Sequence, residues 1–118
     1  MSEESKYTFE LIKEHILVCE QRFIGINIAS DFTATPHGQT MLDAICMRLQ
    51  AISELVKRHV KHNPEFQKKY PGIDWVRIIR FRDFISHHYE ELDFEVIFGV
   101  CKTDLSKLKD IADKELSS

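Results

Sequence analysis

Met41-Leu42-Asp43-Ala44-Ile45-Cys46-Met47-Arg48-Leu49-Gln50-Ala51-Ile52-Ser53-Glu54-Leu55-Val56-Lys57-Arg58-His59-Val60 is the stretch that decides the fold. Leu42, Ile45, Leu49, Ile52 and Val56 recur at alternating steps of three and four, and Met41, Met47, Leu55 and Val60 widen the stripe. Such spacing lines one face of a helix, whereas a half-buried strand would alternate every second residue. The helix is predicted to run to about His62. Upstream, Phe9, Ile12, Ile16, Cys19, Phe23 and Ile26 form a second seam of the same kind and predict a helix over about 6–29. Between the two, Ser30-Asp31 through Pro36-His37-Gly38 supplies breakers and caps.

Downstream, Asn63-Pro64 to Tyr70-Pro71-Gly72 reads as a connection with one helical turn around Glu65–Lys69. A third helix starts near Ile73-Asp74-Trp75, with Asp74 as N-cap, and carries Val76, Ile78, Ile79, Phe81 and Ile85. Asp93 is placed to cap a fourth, with Phe94, Ile97, Cys101, Leu105, Leu108 and Ile111 inside and an end near Glu115. Trp75 and the phenylalanines are assigned to the core. Four amphipathic seams joined by short links predict an all-α fold, an antiparallel four-helix bundle.

Composition agrees. A chain of 118 residues, 43% apolar, can bury a core without metal or disulfide staples, so residues 1–118 are read as a single domain. Four glycines and three prolines are too few turn residues for a sandwich or barrel. Cys19, Cys46 and Cys101 are odd in number, far apart and flanked by apolar residues, so they read as reduced core thiols. No run approaches the length of apolar residues a membrane span needs, and Met1-Ser2-Glu3-Glu4-Ser5 lacks the features of a signal peptide, so a cytoplasmic protein with no membrane partner is expected.

The net charge of −3 argues against a non-specific nucleic-acid coat, yet it hides a pattern. Residues 53–82 hold eight basic and three acidic side chains, while 83–118 hold four and nine. The basic island is either a solvated helix face or a local patch for a phosphate-bearing partner.

That island ends at Arg80-Phe81-Arg82-Asp83-Phe84-Ile85-Ser86-His87-His88-Tyr89. On a helix Arg82 and Tyr89 share a face and Asp83 can meet His87 one turn later. Arg82 and His87 lie about 140° apart on an ideal helix, so a bend or fray at Ser86 would bring them together. Guanidinium, imidazole and phenol at one helix end suit phosphate chemistry: arginine grips the phosphate and histidine moves protons near neutrality.

Arg82-Asp83-Phe84-Ile85-Ser86-His87-His88-Tyr89 resembles the R-x-x-x-x-H-x-Y signature of the HepT-like branch of the HEPN superfamily. The likeness extends over about residues 40–110, through the long helix around Ile45–Leu55, the Pro71-Gly72-Ile73-Asp74-Trp75 lead-in and the aspartate-led final helix. The residue after the motif arginine is often Asn in that family; here it is Asp83. The resemblance implies an HEPN-like homodimer whose two motifs face one cleft and cleave RNA without a metal or other cofactor. Arg82 and His87 would be catalytic, and Asp83 would orient His87. It also implies a toxin–antitoxin pairing, in which an MntA-type nucleotidyltransferase antitoxin neutralises the protein by adenylylating Tyr89.

Other readings stand beside these. The protein is alternatively a non-catalytic HEPN module that binds a nucleotidyltransferase or a nucleotide, or an orphan dimeric bundle. His87 is alternatively a cap for helix carbonyls, Tyr89 a rim residue, and Arg82 the ion-pair partner of Asp83, Glu90 or an acid on another helix. His59 and His62, with His87 and His88, are a weak zinc candidate. Arg48, near the apolar seam, is open to a buried ion pair or a dimer contact.

Overall fold

The computed structural model describes residues 1–88 and 91–118, the side chains of residues 86–88 excepted. The chain order is α1 (Glu3–Phe23), α2 (Asp31–Ala34), α3 (Pro36–His62), α4 (Phe66–Lys69), α5 (Trp75–His88), α6 (Phe94–Gly99), a π-helical turn (Val100–Asp104) and α7 (Leu105–Leu116). The predicted all-α bundle is what forms. α3 packs along α1 and α5, and α1 also packs along α7. Phe9 meets His59 while His15 meets Arg48, so α1 and α3 are antiparallel. Lys13 pairs with Asp113 and Glu20 with Lys109, which makes α1 and α7 antiparallel too.

Side-chain caps mark the starts of α1, α3, α5 and α6. Ser2 accepts the Ser5 N–H at 3.0 Å, so α1 starts at Glu3 rather than near residue 6. It stops at Phe23, short of the predicted 29, because Gly25 adopts φ +88°, a conformation that glycine alone takes without strain. The Asp31 carboxylate then accepts the Asn27 and Ile28 N–H groups and folds the loop. Ile26, last of the first seam, is buried from this loop instead of from a helix.

Pro36, expected among the breakers, opens α3: it occupies the first turn, and Thr35 accepts the Gly38 N–H at 3.0 Å. Asp74 caps α5 by accepting the Arg77 N–H at 3.0 Å, and Asp93 caps α6 by accepting from Glu95 and Val96. The predicted fourth helix is continuous except that a π turn inserts one residue at Val100–Asp104. The extra residue brings Val100, Cys101, Asp104 and Leu105 all inward, and Asp104 pairs there with Arg77.

Phe9, Ile12, Ile16, Cys19, Leu42, Ile45, Leu49, Ile52 and Val56 fill the α1–α3 side, and Trp75, Ile78, Phe81, Ile85, Ile97, Leu105 and Leu108 fill the rest. All three cysteines are free and buried, and burial pushes the thiols of Cys19 and Cys46 up to about 12, so neither is a nucleophile near neutral pH. Among the described residues, no helix is long and apolar enough to cross a membrane.

Gly38 sits where α3 passes beneath the α2 backbone: a Cβ there would lie 2.0 Å from the Asp31 carbonyl oxygen. Gly38→Ala is therefore expected to destabilise by about 1–3 kcal/mol despite alanine's better helix propensity. Gly99→Ala meets nothing within 4 Å and should stabilise by up to ~1 kcal/mol. Urea unfolding of the two variants reads the opposite signs.

Candidate active site

Arg82 is held by the junction of α3 and α5. At its centre is Ser53, fully buried in the middle of the α3 seam. Its hydroxyl donates to the Ile79 carbonyl at 2.8 Å and accepts the Arg82 N–H at 3.3 Å. A serine is small enough to let two helix backbones approach, and a buried hydroxyl must be satisfied, so this contact fixes which turn of α5 faces Ser53. One residue further along α3, Glu54 places its carboxylate 2.8 Å from Arg82 Nε, and Asp83 lies 4.0 Å from the same guanidinium. Of the ion-pair partners for Arg82 among the described residues, the acid on another helix is nearer than Asp83; Glu90 lies outside them. Both side chains are about half exposed, which leaves the guanidinium open to a second anion.

The groove beside this pair measures about 470 Å³ and is lined by Glu54, Lys57, Arg58, Lys61, His62 and Arg82. Folding has sorted the basic island. Lys68 pairs with Glu65, Lys69 with Glu115, and Arg77 with Asp104. Among the described residues no carboxylate pairs with Lys57, Arg58, Lys61 or Arg80; the first three gather beside Arg82, while Arg80 lines a separate hollow.

The start of α5, and with it the position of Arg82, is set by an aromatic strap across one end of the bundle. Trp75 Nε1 donates to the Tyr70 carbonyl at 2.8 Å, and the Tyr70 hydroxyl donates to Glu115 at 2.6 Å. Phe66 stacks edge-on against His59, Tyr70 and Trp75. His59 is thus a core ring wedged between Phe9 and Phe66, and burial lowers its pKa. Asn63 Nδ2 donates to the His59 carbonyl, which orients the amide, and also approaches His59 Nδ1 at 3.4 Å. Among the described residues no group of three or more metal-ligating side chains comes together.

Arg48 makes no ion pair with a described acid; it donates to His15 Nδ1 at 3.1 Å. An arginine only donates, so His15 is neutral with its proton on Nε2, in keeping with a pKa lowered by burial and by Arg48. α5 continues as helix through Ser86 to His88, so the chain does not fray at Ser86. The side chains of Ser86, His87 and His88, together with Tyr89 and Glu90, lie outside the described residues. Ser53 and Glu54 went unremarked in the sequence, although a serine inside an apolar seam was the signal for a buried polar contact.

The pattern of the family described as Ribonuclease HepT-like matches residues 7–115. The chain belongs to the HepT-like family. Three relatives in Methanocaldococcus jannaschii agree in kind. Two are named "putative RNase": one is 27% identical over 66 residues, 56% of this chain and 58% of that protein, the other 38% identical over 48 residues, 40% of each. The third, named "gamma-glutamylcyclotransferase and putative RNase", is 32% identical over 68 residues, 58% of this chain and 29% of its own. The aligned stretches thus span well under two-thirds of each relative. No solved structure matches this HepT-like chain at a significant level.

The geometry separates two effects that lie one residue apart. Ser53→Ala should cost about 1 kcal/mol, the net worth of a buried hydrogen bond, whereas Glu54→Gln should change stability by less than ~0.5 kcal/mol because its pair with Arg82 is half solvated. Denaturant titration of both variants measures the difference.

Proposed function

We propose that this HepT-like protein is an endoribonuclease of a toxin–antitoxin pair, acting through Arg82 and His87. Arg82 carries the reading: it is a half-exposed guanidinium, locked at its backbone by Ser53, at the edge of a groove whose lysines and Arg58 pair with no carboxylate among the described residues. In the proposed reaction His87 accepts the proton of an RNA 2′-OH as that oxygen attacks the adjacent phosphorus. Arg82 stabilises the charge of the phosphorane, and His87 returns the proton to the departing 5′-oxygen, giving a 2′,3′-cyclic phosphate and a 5′-hydroxyl. Asp83 orients His87. A regular helix through Ser86 leaves positions 82 and 87 about 140° apart, so a homodimer that joins two motifs in one cleft suits the chemistry better than a single chain.

Tyr89 is the proposed target of adenylylation by an MntA-type nucleotidyltransferase. The added phosphodiester and nucleoside would compete with RNA for Arg82 by charge and by bulk. The alternative, a non-catalytic HEPN module, has its own support: Glu54 and Asp83 already flank the Arg82 guanidinium, as they would in a site that only binds.

Cleavage of a single-stranded RNA by purified protein without added metal decides between them. Arg82→Ala and His87→Ala are each expected to lower the rate at least ~100-fold, with cyclic-phosphate ends in the wild-type products. Equal rates in wild type and both variants would remove the catalytic assignment. For the modification, incubation with ATP and a cognate nucleotidyltransferase should raise the intact mass by whole AMP units in wild type. The same gain in Tyr89→Phe would show that the acceptor lies elsewhere.

A further inference from the structure

The groove of Lys57, Arg58, Lys61 and His62 is not needed to hold the phosphate at Arg82, and it does not end there. Arg58 and His62 are shared with a second cavity of about 250 Å³, which lies between the end of α3 and the start of α1 and is lined also by Ser2, Ser5, Thr8 and Asn63. The two hollows share this wall and mark out a track along the last two turns of α3, with Arg82 beside the first. From Glu54 to His62 the helix rises about 12 Å, further than a single phosphate group reaches.

We propose that this track carries the sugar–phosphate backbone of the single-stranded RNA beyond the scissile phosphate, with Lys57, Arg58 and Lys61 as phosphate contacts. The proposal deepens the ribonuclease reading and rests on it for the identity of the strand. Three observations converge. The cations are exposed and, among the described residues, pair with no carboxylate, whereas Lys68, Lys69 and Arg77 of the same island are neutralised within the fold. They lie on the same side of the α3–α5 junction as Arg82. The hollow itself, about 470 Å³, is of a size to admit a nucleotide.

At its far end Glu4 stands on the wall of the second cavity, and Glu65 and Glu115 line the neighbouring hollow that shares His59 and Asn63. The positive track stops there. The strand is contacted over the phosphates next to the cleaved one and no further, which fits a chain whose net charge is −3.

The test uses a fluorescein-labelled 2′-O-methyl single-stranded oligonucleotide, which lacks the attacking hydroxyl, with anisotropy measured over a range of NaCl. The doubly substituted Lys57→Gln/Lys61→Gln protein is compared with Lys68→Gln/Lys107→Gln, which removes two exposed lysines off the track. Losing two phosphate contacts should flatten the slope of log Kd against log salt by about 1.4, while the off-track pair leaves it at the wild-type value. With cleavable RNA the track variant should show a raised KM and a retained kcat. Equal slopes for the two variants would overturn the track even if wild type cleaves RNA, and the ribonuclease reading would then stand alone. If the track variant flattens the slope but wild type never cleaves, the track stands as an RNA contact and the ribonuclease reading falls. A wild type that neither binds nor cleaves overturns both.

Discussion

One buried hydroxyl, that of Ser53, holds the two halves of the site in register. α3 carries Glu54, Lys57, Arg58 and Lys61; α5 carries Arg82. Each helix is stiff by itself, so the geometry of the groove depends on how one lies against the other. Apolar side chains such as Ile52, Val56, Ile78 and Ile85 drive that contact, but a greasy interface tolerates sliding at small cost. A hydroxyl buried between two helix backbones does not. Slippage by one residue would strand it without a partner, at a penalty comparable with a substantial part of a small domain's net stability. Ser53 therefore contributes specificity more than it contributes energy.

The second constraint is the strap formed by Tyr70, Trp75 and Glu115. It determines where α5 begins, and it also removes charge. Lys69 and Tyr70 both donate to Glu115, and these hydrogen bonds hold that carboxyl below its usual range although burial opposes them. Arg77 is likewise consumed by Asp104, which the π turn has carried inward. The interactions that close the bundle are thus the ones that neutralise the outlying members of the basic island. Of the rest, Lys57, Arg58 and Lys61 lie beside Arg82 and Arg80 lines a separate hollow, so the local field at the groove follows in part from how the fold satisfies its own polar groups elsewhere.

Much of this was legible in the sequence. The seams Leu42–Val56 and Phe9–Phe23 predicted α3 and α1, and Asp74 and Asp93 marked the two later helix starts, because spacing and capping are local properties of the chain. The misreadings were non-local. Gly25 turns with a positive φ and ends α1 early, while Ile26 stays buried and so keeps the apolar spacing of a helix that has already stopped. Pro36 resembled a breaker, yet it is well tolerated in a first turn that needs no N–H from it. The π turn left its only trace in two successive steps of four, Ile97 to Cys101 to Leu105. Within the site, the arginine and its motif stood out in the sequence. The Glu54 partner, the Ser53 bridge and the sorting of lysines did not, since each depends on which helix faces which.

The continuity of α5 through Ser86 bears on the chemistry as much as on the fold. Positions 82 and 87 on one ideal helix are about 140° apart. In the proposed reaction, therefore, either the two residues serve different phosphates, or the histidine that serves Arg82 comes from a second copy of the chain. A hollow of about 390 Å³, lined by Val76, Phe81, Phe84 and Val96 together with the charged Asp74, Arg77, Arg80 and Asp93, shares no lining residue with the Arg82 groove. A second chain in the proposed dimer would supply a histidine from another α5, which is how the proposed reaction meets the angular offset that one helix imposes.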